Sequence, residues 1–426
     1  MAKWRLGPTQ RLAALALSTI VAVVLGVAFA LSPASLGRGH VDLDSASGTP
    51  IPADAASHRG GGHVPLPGAS ATARPHPKAT APAATPGPPD GPVVVLQPGQ
   101  APGGVTVCGT QLCSGGSPIQ LDGASIYNPG LRPEQSGYLN PAGTIQLAQE
   151  AHLNTLRIIN FYTKHGDPAT VPYLESNWVL VDRMIAAAGA AGMHVDLGLG
   201  DYRNILWESC IDPYTADWTH FVDFVANRRN TVTGALYKDD PTIAFVSIAG
   251  EPLQANKPHT GVNATGSPDP NLANCTVEYT TQQLTDFYIN TENAWAATGA
   301  SVMINTGGLG YINESDSGID WKTIYALPHN PFCAFKTYGG MFAFAPTVAA
   351  YCHSIGKPVL DEEFGYEQSN GDAQRATEFA NQYSEMRSIG AAGVFFWNLG
   401  YQVASTSYEV SPLTPLTFAA VQAANP

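Results

Sequence analysis

Thr242-Ile243-Ala244-Phe245-Val246-Ser247-Ile248-Ala249-Gly250-Glu251-Pro252 is a short apolar run that stops at an acid, and Lys357-Pro358-Val359-Leu360-Asp361-Glu362-Glu363-Phe364-Gly365 repeats the arrangement later in the chain. Apolar residues on both faces mark strands that are covered on both sides, as in a parallel sheet flanked by helices. Working outward, similar runs occupy 119–127, 155–161, 194–199, 243–248, 301–305, 332–337, 358–364 and 393–397. Helical spacing of apolar residues lies between them, most clearly over 178–191, 279–297 and 373–389, with 412–424 as the last helix. Strand and helix in eightfold alternation predict an α/β fold, a (β/α)8 TIM barrel over residues 105–426. An open doubly wound sheet is disfavoured, because no Gly-rich phosphate turn follows the first strand.

What precedes the barrel has a different character. Lys3, Arg5 and Arg11 stand before an apolar run from Leu12 to Leu31, with small residues after it. Residues 1–36 therefore read as an export signal or, since the run is about long enough to span a bilayer, as an uncleaved membrane anchor. Residues 37–104 read as a disordered linker: from Pro33 to Pro102 the chain is rich in Pro, Ala, Gly, Ser and Thr, and no aromatic residue occurs between Phe29 and Tyr127. His58, His63 and His76 are irregularly spaced there and suit solvated linker positions better than a metal site. The barrel is expected to be secreted or held at the cell surface by a tether through Leu12 to Leu31.

Composition narrows the chemistry. The 426 residues carry 34 Asp+Glu against 21 Lys+Arg, a formal charge of −13, and only 13% are charged. Phosphate binding needs a basic face, so nucleic acid is excluded as a partner. No His-Glu-x-x-His helix or Cys-x-x-Cys pair argues for metal, and no Gly-x-Ser-x-Gly elbow for a serine hydrolase. No cofactor is expected. Six cysteines make an even set suited to export. Cys108 with Cys113 and Cys333 with Cys352 lie near enough in sequence to pair, which leaves Cys210 with Cys275, although six cysteines allow 15 connectivities.

A barrel of this kind carries its chemistry at the C-terminal ends of its strands. Glu251 ends the fourth strand and Glu362-Glu363 the seventh, so two strands deliver carboxylates to one rim. Glycosidic cleavage needs two: one protonated for the leaving oxygen, one ionised for the oxocarbenium-like centre. Alone, Glu251-Pro252 also reads as an acid that opens a helix. Because neighbours on a strand face opposite sides, one of Glu362 and Glu363 is expected to point into the mouth.

The segment from Asn230 to Pro252 resembles the fourth-strand region of glycoside hydrolase family 5 (clan A), above all its endo-β-mannanase and cellulase-like members, and Lys357 to Gly365 is similar to that family's seventh strand. The first-strand region and Leu153-Asn-Thr-Leu-Arg157-Ile also fit. The resemblance implies a retaining β-glycoside hydrolase acting on a β-1,4-linked, mannan-like glycan, with Glu251 as acid/base and Glu363 as nucleophile. It implies further that Arg157 and Tyr338 contact the nucleophile and that Trp397 forms a sugar platform; on its own, Trp397 also suits core packing. Tyr202 and Trp207 are candidates for further sugar subsites. The expected partner is a polysaccharide or oligosaccharide, and the chain is expected to act as a monomer.

Two positions depart from the family pattern. Gly250 stands where the family has the asparagine that binds the sugar 2-hydroxyl, and Lys336 replaces the histidine of a His-x-Tyr pattern. Lys336 reads either as a charged contact to a sugar hydroxyl or carboxylate or as a solvated rim lysine. These departures motivate one alternative, a cell-surface barrel that binds glycan without turnover; an exo-acting β-glycosidase of the same family is the other.

Overall fold

The computed structural model describes residues 103–127, 140–159, 175–199, 210–262, 268, 270 and 273–425. Three short antiparallel strands come first, β1 (Val105–Cys108), β2 (Gln111–Ser114) and β3 (Ser117–Ile119). There follow β4 (Leu121–Tyr127), α1 (Pro141–Glu150), β5 (Thr155–Ile159), α2 (Glu175–Ala190), β6 (His194–Gly198), α3 (Thr219–Asn227) and β7 (Ile243–Ser247). A small ribbon of β8 (His259–Thr260) and β9 (Thr276–Val277) precedes α4 (Thr281–Ala297), β10 (Met303–Asn305), α5 (Trp321–Tyr325) and β11 (Cys333–Lys336). The chain closes with α6 (Met341–Ser354), β12 (Val359–Phe364), α7 (Asp372–Ser388), β13 (Gly393–Phe396) and α8 (Pro415–Ala424).

Eight of these strands form one parallel sheet in the order β10-β7-β6-β5-β4-β13-β12-β11. Its two ends meet through Leu309: the Leu309 amide donates to Ala334 O at 3.0 Å and the Lys336 amide to Leu309 O at 3.3 Å. The sheet therefore curls into the expected (β/α)8 barrel. Each expected strand is present, with one difference at the start. Residues 119–127 do not form a single strand, because the chain turns at Gln120 between β3, which pairs antiparallel with β2, and β4, which joins the barrel. The helices α1, α3, α5 and α6 add to those that spacing made clearest. Asn140 caps α1 ahead of Pro141, and a Thr280–Gln283 capping box opens α4, so local chemistry sets where these helices begin. The last helix starts at Pro415 rather than at 412, since Pro415 occupies its first turn.

The barrel interior is layered. At the bottom, Phe245, Phe332, Leu360 and Phe395 pack with Leu121 and with Val105 and Leu112 of the antiparallel sheet, which closes the N-terminal end. Phe245 meets Phe332 edge-on at 4.9 Å and Phe395 face-on at 6.4 Å. Above this apolar floor the inward positions turn polar: Ser125, Arg157, Asp196, Ser247, Asn305, Lys336 and Glu362 are all buried. Disulfides join Cys108–Cys113, Cys210–Cys275 and Cys333–Cys352. Among the described residues no helix is long and apolar enough to cross a membrane; the Leu12 to Leu31 run lies outside them.

Candidate active site

The polar layer ends in two glutamates. Beyond β7 the chain stays paired to the segment after β10, with the Ile248 amide on Asn305 O, Ala249 on Thr306 O and Glu251 on Gly308 O. Glu251 then turns the backbone with φ 52°, in the left-handed region that side-chain-bearing residues seldom adopt. Such strain is retained where surrounding contacts over-determine it, as they do here. The Glu251 side chain is buried, and Lys336 Nζ lies 3.3 Å from its Oε2.

Glu363 is held from three sides. Arg157 Nη1 donates to Oε2 at 2.5 Å, Lys336 Nζ pairs with the same oxygen at 3.0 Å, and the Tyr338 hydroxyl donates to Oε1 at 3.1 Å. Burial would raise its carboxyl, but the charges of Lys336 and Arg157 and their hydrogen bonds outweigh this and hold it below the usual range. Glu363 is thus an anion at neutral pH.

Arg157 binds three acids. Its Nε lies 3.2 Å from Asp196 Oδ2 and 3.1 Å from Glu362 Oε1, while Nη1 reaches Glu363 and Ser125 Oγ. Burial would lower the guanidinium, yet the charges of Glu362, Glu363 and Asp196 raise it, so it stays protonated. Asp196 is raised as well: burial first and then the Glu362 charge push it well above the ordinary carboxyl range, against the pull of Arg157 and a 2.6 Å hydrogen bond from Ser247 Oγ. Glu362 is also raised, first by burial. The two cations offset much of the charge of the four acids, which is the condition for burying the cluster.

One expectation is corrected here. Alternation along the seventh strand was to admit only one of Glu362 and Glu363, whereas both carboxylates reach Arg157. The cause is an irregularity in register between Asp361 and Phe364, matched by a shift between Phe335 and Lys336 on β11. Asp361 takes the outward place: its Oδ2 accepts from Thr337 Oγ1 at 2.8 Å and from Gln382 Nε2 of α7 at 2.7 Å. The reading of Lys336 as a solvated rim lysine is likewise overturned. It is 4% exposed and lies between Glu251 and Glu363, because β11 directs it inward and the Gly307-Gly308 turn covers its stem.

The same turn explains Gly250. A Cβ there would fall 1.9 Å from Gly307 O and 2.5 Å from Gly308 O, so the space of an asparagine side chain is filled by backbone. Trp397 follows β13, half-buried, with its amide on Phe364 O at 2.7 Å, and so stands beside the end of β12. Tyr202 and Trp207 lie outside the described residues. Sequence reasoning missed Tyr408 and Glu367. Tyr408 Cδ1 lies 3.0 Å from where a Gly365 Cβ would be, and its hydroxyl donates to Glu367 Oε1 at 3.3 Å. Burial first, then the charges of Glu367 and Glu363, push the phenol up to about 12. No motif marks Tyr408, since it sits in an irregular loop after β13.

No family model and no curated relative matches the sequence. Solved structures do match. The chain is similar in fold to an endo-1,4-β-mannanase from Rhizomucor miehei, with TM-score 0.59 and 19% identity over 75% of this chain and 99% of that one. It is similar also to an endo-β-1,4-mannanase from Thermotoga petrophila (TM-score 0.53, 17% identity, 72% of this chain and 77% of that one). A glycoside hydrolase family 5 mannosidase from Rhizomucor miehei aligns with TM-score 0.53 and 15% identity over 76% of this chain and 96% of that one. At these identities the likeness establishes the shared barrel fold.

Proposed function

We propose that this chain is a retaining β-glycoside hydrolase, with Glu363 as nucleophile and Glu251 as acid/base. One observation carries the reading: Lys336 Nζ is 3.3 Å from Glu251 Oε2 and 3.0 Å from Glu363 Oε2, so the two oxygens lie no more than about 6.3 Å from each other at one rim. That bound favours the short separation of retaining enzymes, about 5–5.5 Å, over the wider gap in which an inverting enzyme places water.

The chemistry follows from the placing of the two acids and from the charge held on Glu363. Glu363, anionic and oriented by Arg157 and Tyr338, attacks the anomeric carbon while Glu251 gives its proton to the departing oxygen. A water, deprotonated by Glu251, then releases the sugar from Glu363. A mannan-like β-1,4-glycan is the favoured substrate, since structures similar in fold include endo-1,4-β-mannanases. Trp397, Tyr408 and Glu367 are proposed to line the sugar path. Export through residues 1–36, with a tether over 37–104, completes the proposal, and three disulfides suit an oxidising compartment.

The filled space at Gly250 favours a second reading, a barrel that binds glycan without turnover, because it removes a donor that strengthens in the family's transition state. Screening the full chain against mannan, glucomannan, cellulose, xylan and aryl β-glycosides, with Glu363→Ala as control, tests the first. Hydrolysis of one glycan that vanishes in the control is the expected result. Binding without hydrolysis, and no covalent labelling of Glu363 by mechanism-based epoxides or fluoroglycosides, overturns it in favour of the second.

A further inference from the structure

We infer, resting on the hydrolase reading above, that Lys336 is a third catalytic group, whose single ammonium serves as counterion to Glu363 in one half of the reaction and to Glu251 in the other. The geometry is that of a cation between two acids: Nζ lies within ion-pair distance of both Oε2 atoms, and the side chain is almost wholly shielded from solvent.

The argument is one of charge conservation. In the first half, a bond forms between a Glu363 carboxylate oxygen and the anomeric carbon, the bond from that carbon to the leaving oxygen breaks, and the Glu251 proton passes to the leaving oxygen. Glu363 has become a neutral ester and Glu251 an anion. In the second half a water oxygen bonds to the anomeric carbon, its proton passes to Glu251, the ester bond breaks, and the charge returns to Glu363. The glutamate pair thus holds one negative charge at each resting point, in alternating places. Where water is excluded, an uncompensated charge is costly and a fixed partner is worth far more than in bulk solvent. Arg157 and Tyr338 favour the charge on Glu363 alone, which would oppose its transfer to Glu251. A cation between the two offsets that bias without having to travel.

Lys336 is also held in place. A Cβ on Gly308 would lie 3.0 Å from Lys336 Cγ, so the turn after β10 presses on the lysine stem. The next residue, Thr337, faces outward and is pinned by Asp361, while its amide donates to Glu363 O at 2.9 Å. Such fixing removes the reorganisation that a mobile lysine would need.

The test is the pH dependence of kcat/KM for the full chain, on the glycan it cleaves, in the native protein and in the Lys336→Met, Lys336→Gln and Lys336→Arg variants. The groups facing this centre are Glu251 after β7, Glu362 and Glu363 on β12, Arg157 on β5, Asp196 on β6, Tyr338 after β11 and Tyr408 beyond β13. Loss of the ammonium makes Glu363 harder to ionise and leaves the charge that reaches Glu251 in the first half without its counterion. The acid limb, set by ionised Glu363, then moves to higher pH by about one unit. The expected result is that displacement in Lys336→Met, with kcat/KM down about tenfold or more at the native optimum, and the native acid limb kept in Lys336→Arg. Lys336→Gln carries the same expectation should the apolar variant not fold. An acid limb that stays in place in the uncharged variant, or shifts equally in Lys336→Arg, overturns the role of Lys336 while leaving the hydrolase reading intact. A native chain that cleaves no glycan overturns both.

Discussion

Gly250 lies so close to Gly307 that a Cβ on the first would sit 1.9 Å from the carbonyl oxygen of the second. The missing amide at this position is therefore a packing requirement of the fold rather than a vacancy open to repair. Restoring the family pattern with Gly250→Asn is expected to push the Gly307-Gly308 turn out of place, and with it the stems of Lys336 and Glu362. Overpacking of this kind costs about 1–3 kcal/mol or more. The variant should melt below the native protein and gain no activity on any glycan. A native melting temperature together with faster hydrolysis would show that the turn yields easily.

The acid role of Glu251 predicts a dependence on the leaving group. Glu251→Gln keeps the shape and removes the proton donor, so cleavage of natural glycosidic bonds should fall by a factor of about 10² to 10⁴. Activated aryl glycosides, whose leaving oxygen needs no proton, should lose much less. Equal losses on both classes, measured as kcat/KM, would remove the acid role from Glu251.

The barrel was legible because its strands are buried on both faces. Ile243-Ala-Phe-Val and Val359-Leu360 have no outward polar position, and each ends at an acid, so strand and rim could be read together. The antiparallel sheet was partly hidden, since Ile119 and Leu121 belong to different sheets and only Gln120 divides them. The arrangement of the site lay beyond local pattern. Alternation assigns Glu362 and Glu363 to opposite faces, and it is the register shift in β12, set by pairing with neighbouring strands, that brings both to Arg157. For Lys336 the sequence leaves a charged sugar contact and a solvated rim position equally open, because lysine is usually exposed. Its burial between two acids depends on the approach of the ends of β7 and β12, which no spacing encodes.

A separate acid, remote from this chemistry, makes stability depend on pH. Glu292 of α4 is 1% exposed, its Oε1 has no hydrogen-bond partner, and burial raises it from 4.5 to about 8 against the pull of Lys357. The folded protein holds this proton where the unfolded chain has released it. Its contribution to stability is therefore complete below 4.5 and is lost as the pH rises to about 8. Glu292→Gln mimics the protonated acid and has nothing to lose. The melting temperature of the variant should match the native value near about pH 5 and exceed it by a growing margin towards about pH 8. A constant difference across that window would mean that Glu292 ionises normally in the folded state.

Arg157 has the opposite sign. It faces Asp196, Glu362 and Glu363 together, so Arg157→Leu leaves three buried acids with only Lys336 near them. Removing one partner from a buried charge network costs about 3–5 kcal/mol, because the remaining charges stay desolvated. The effect should shrink in acid. Glu363 is held below its ordinary value in the native protein, and the stability it contributes is present above 4.5 and fades as the pH falls through its lowered value. The variant's acids, deprived of their cation, take up protons more readily and escape the penalty by becoming neutral. Urea midpoints should thus separate most at neutral pH and converge as the pH drops below 4.5. Arg157→Lys should recover only part of the loss, since one ammonium cannot reproduce the fork that spans three carboxylates. A separation independent of pH would show that Arg157 matters for its packing and not for its charge.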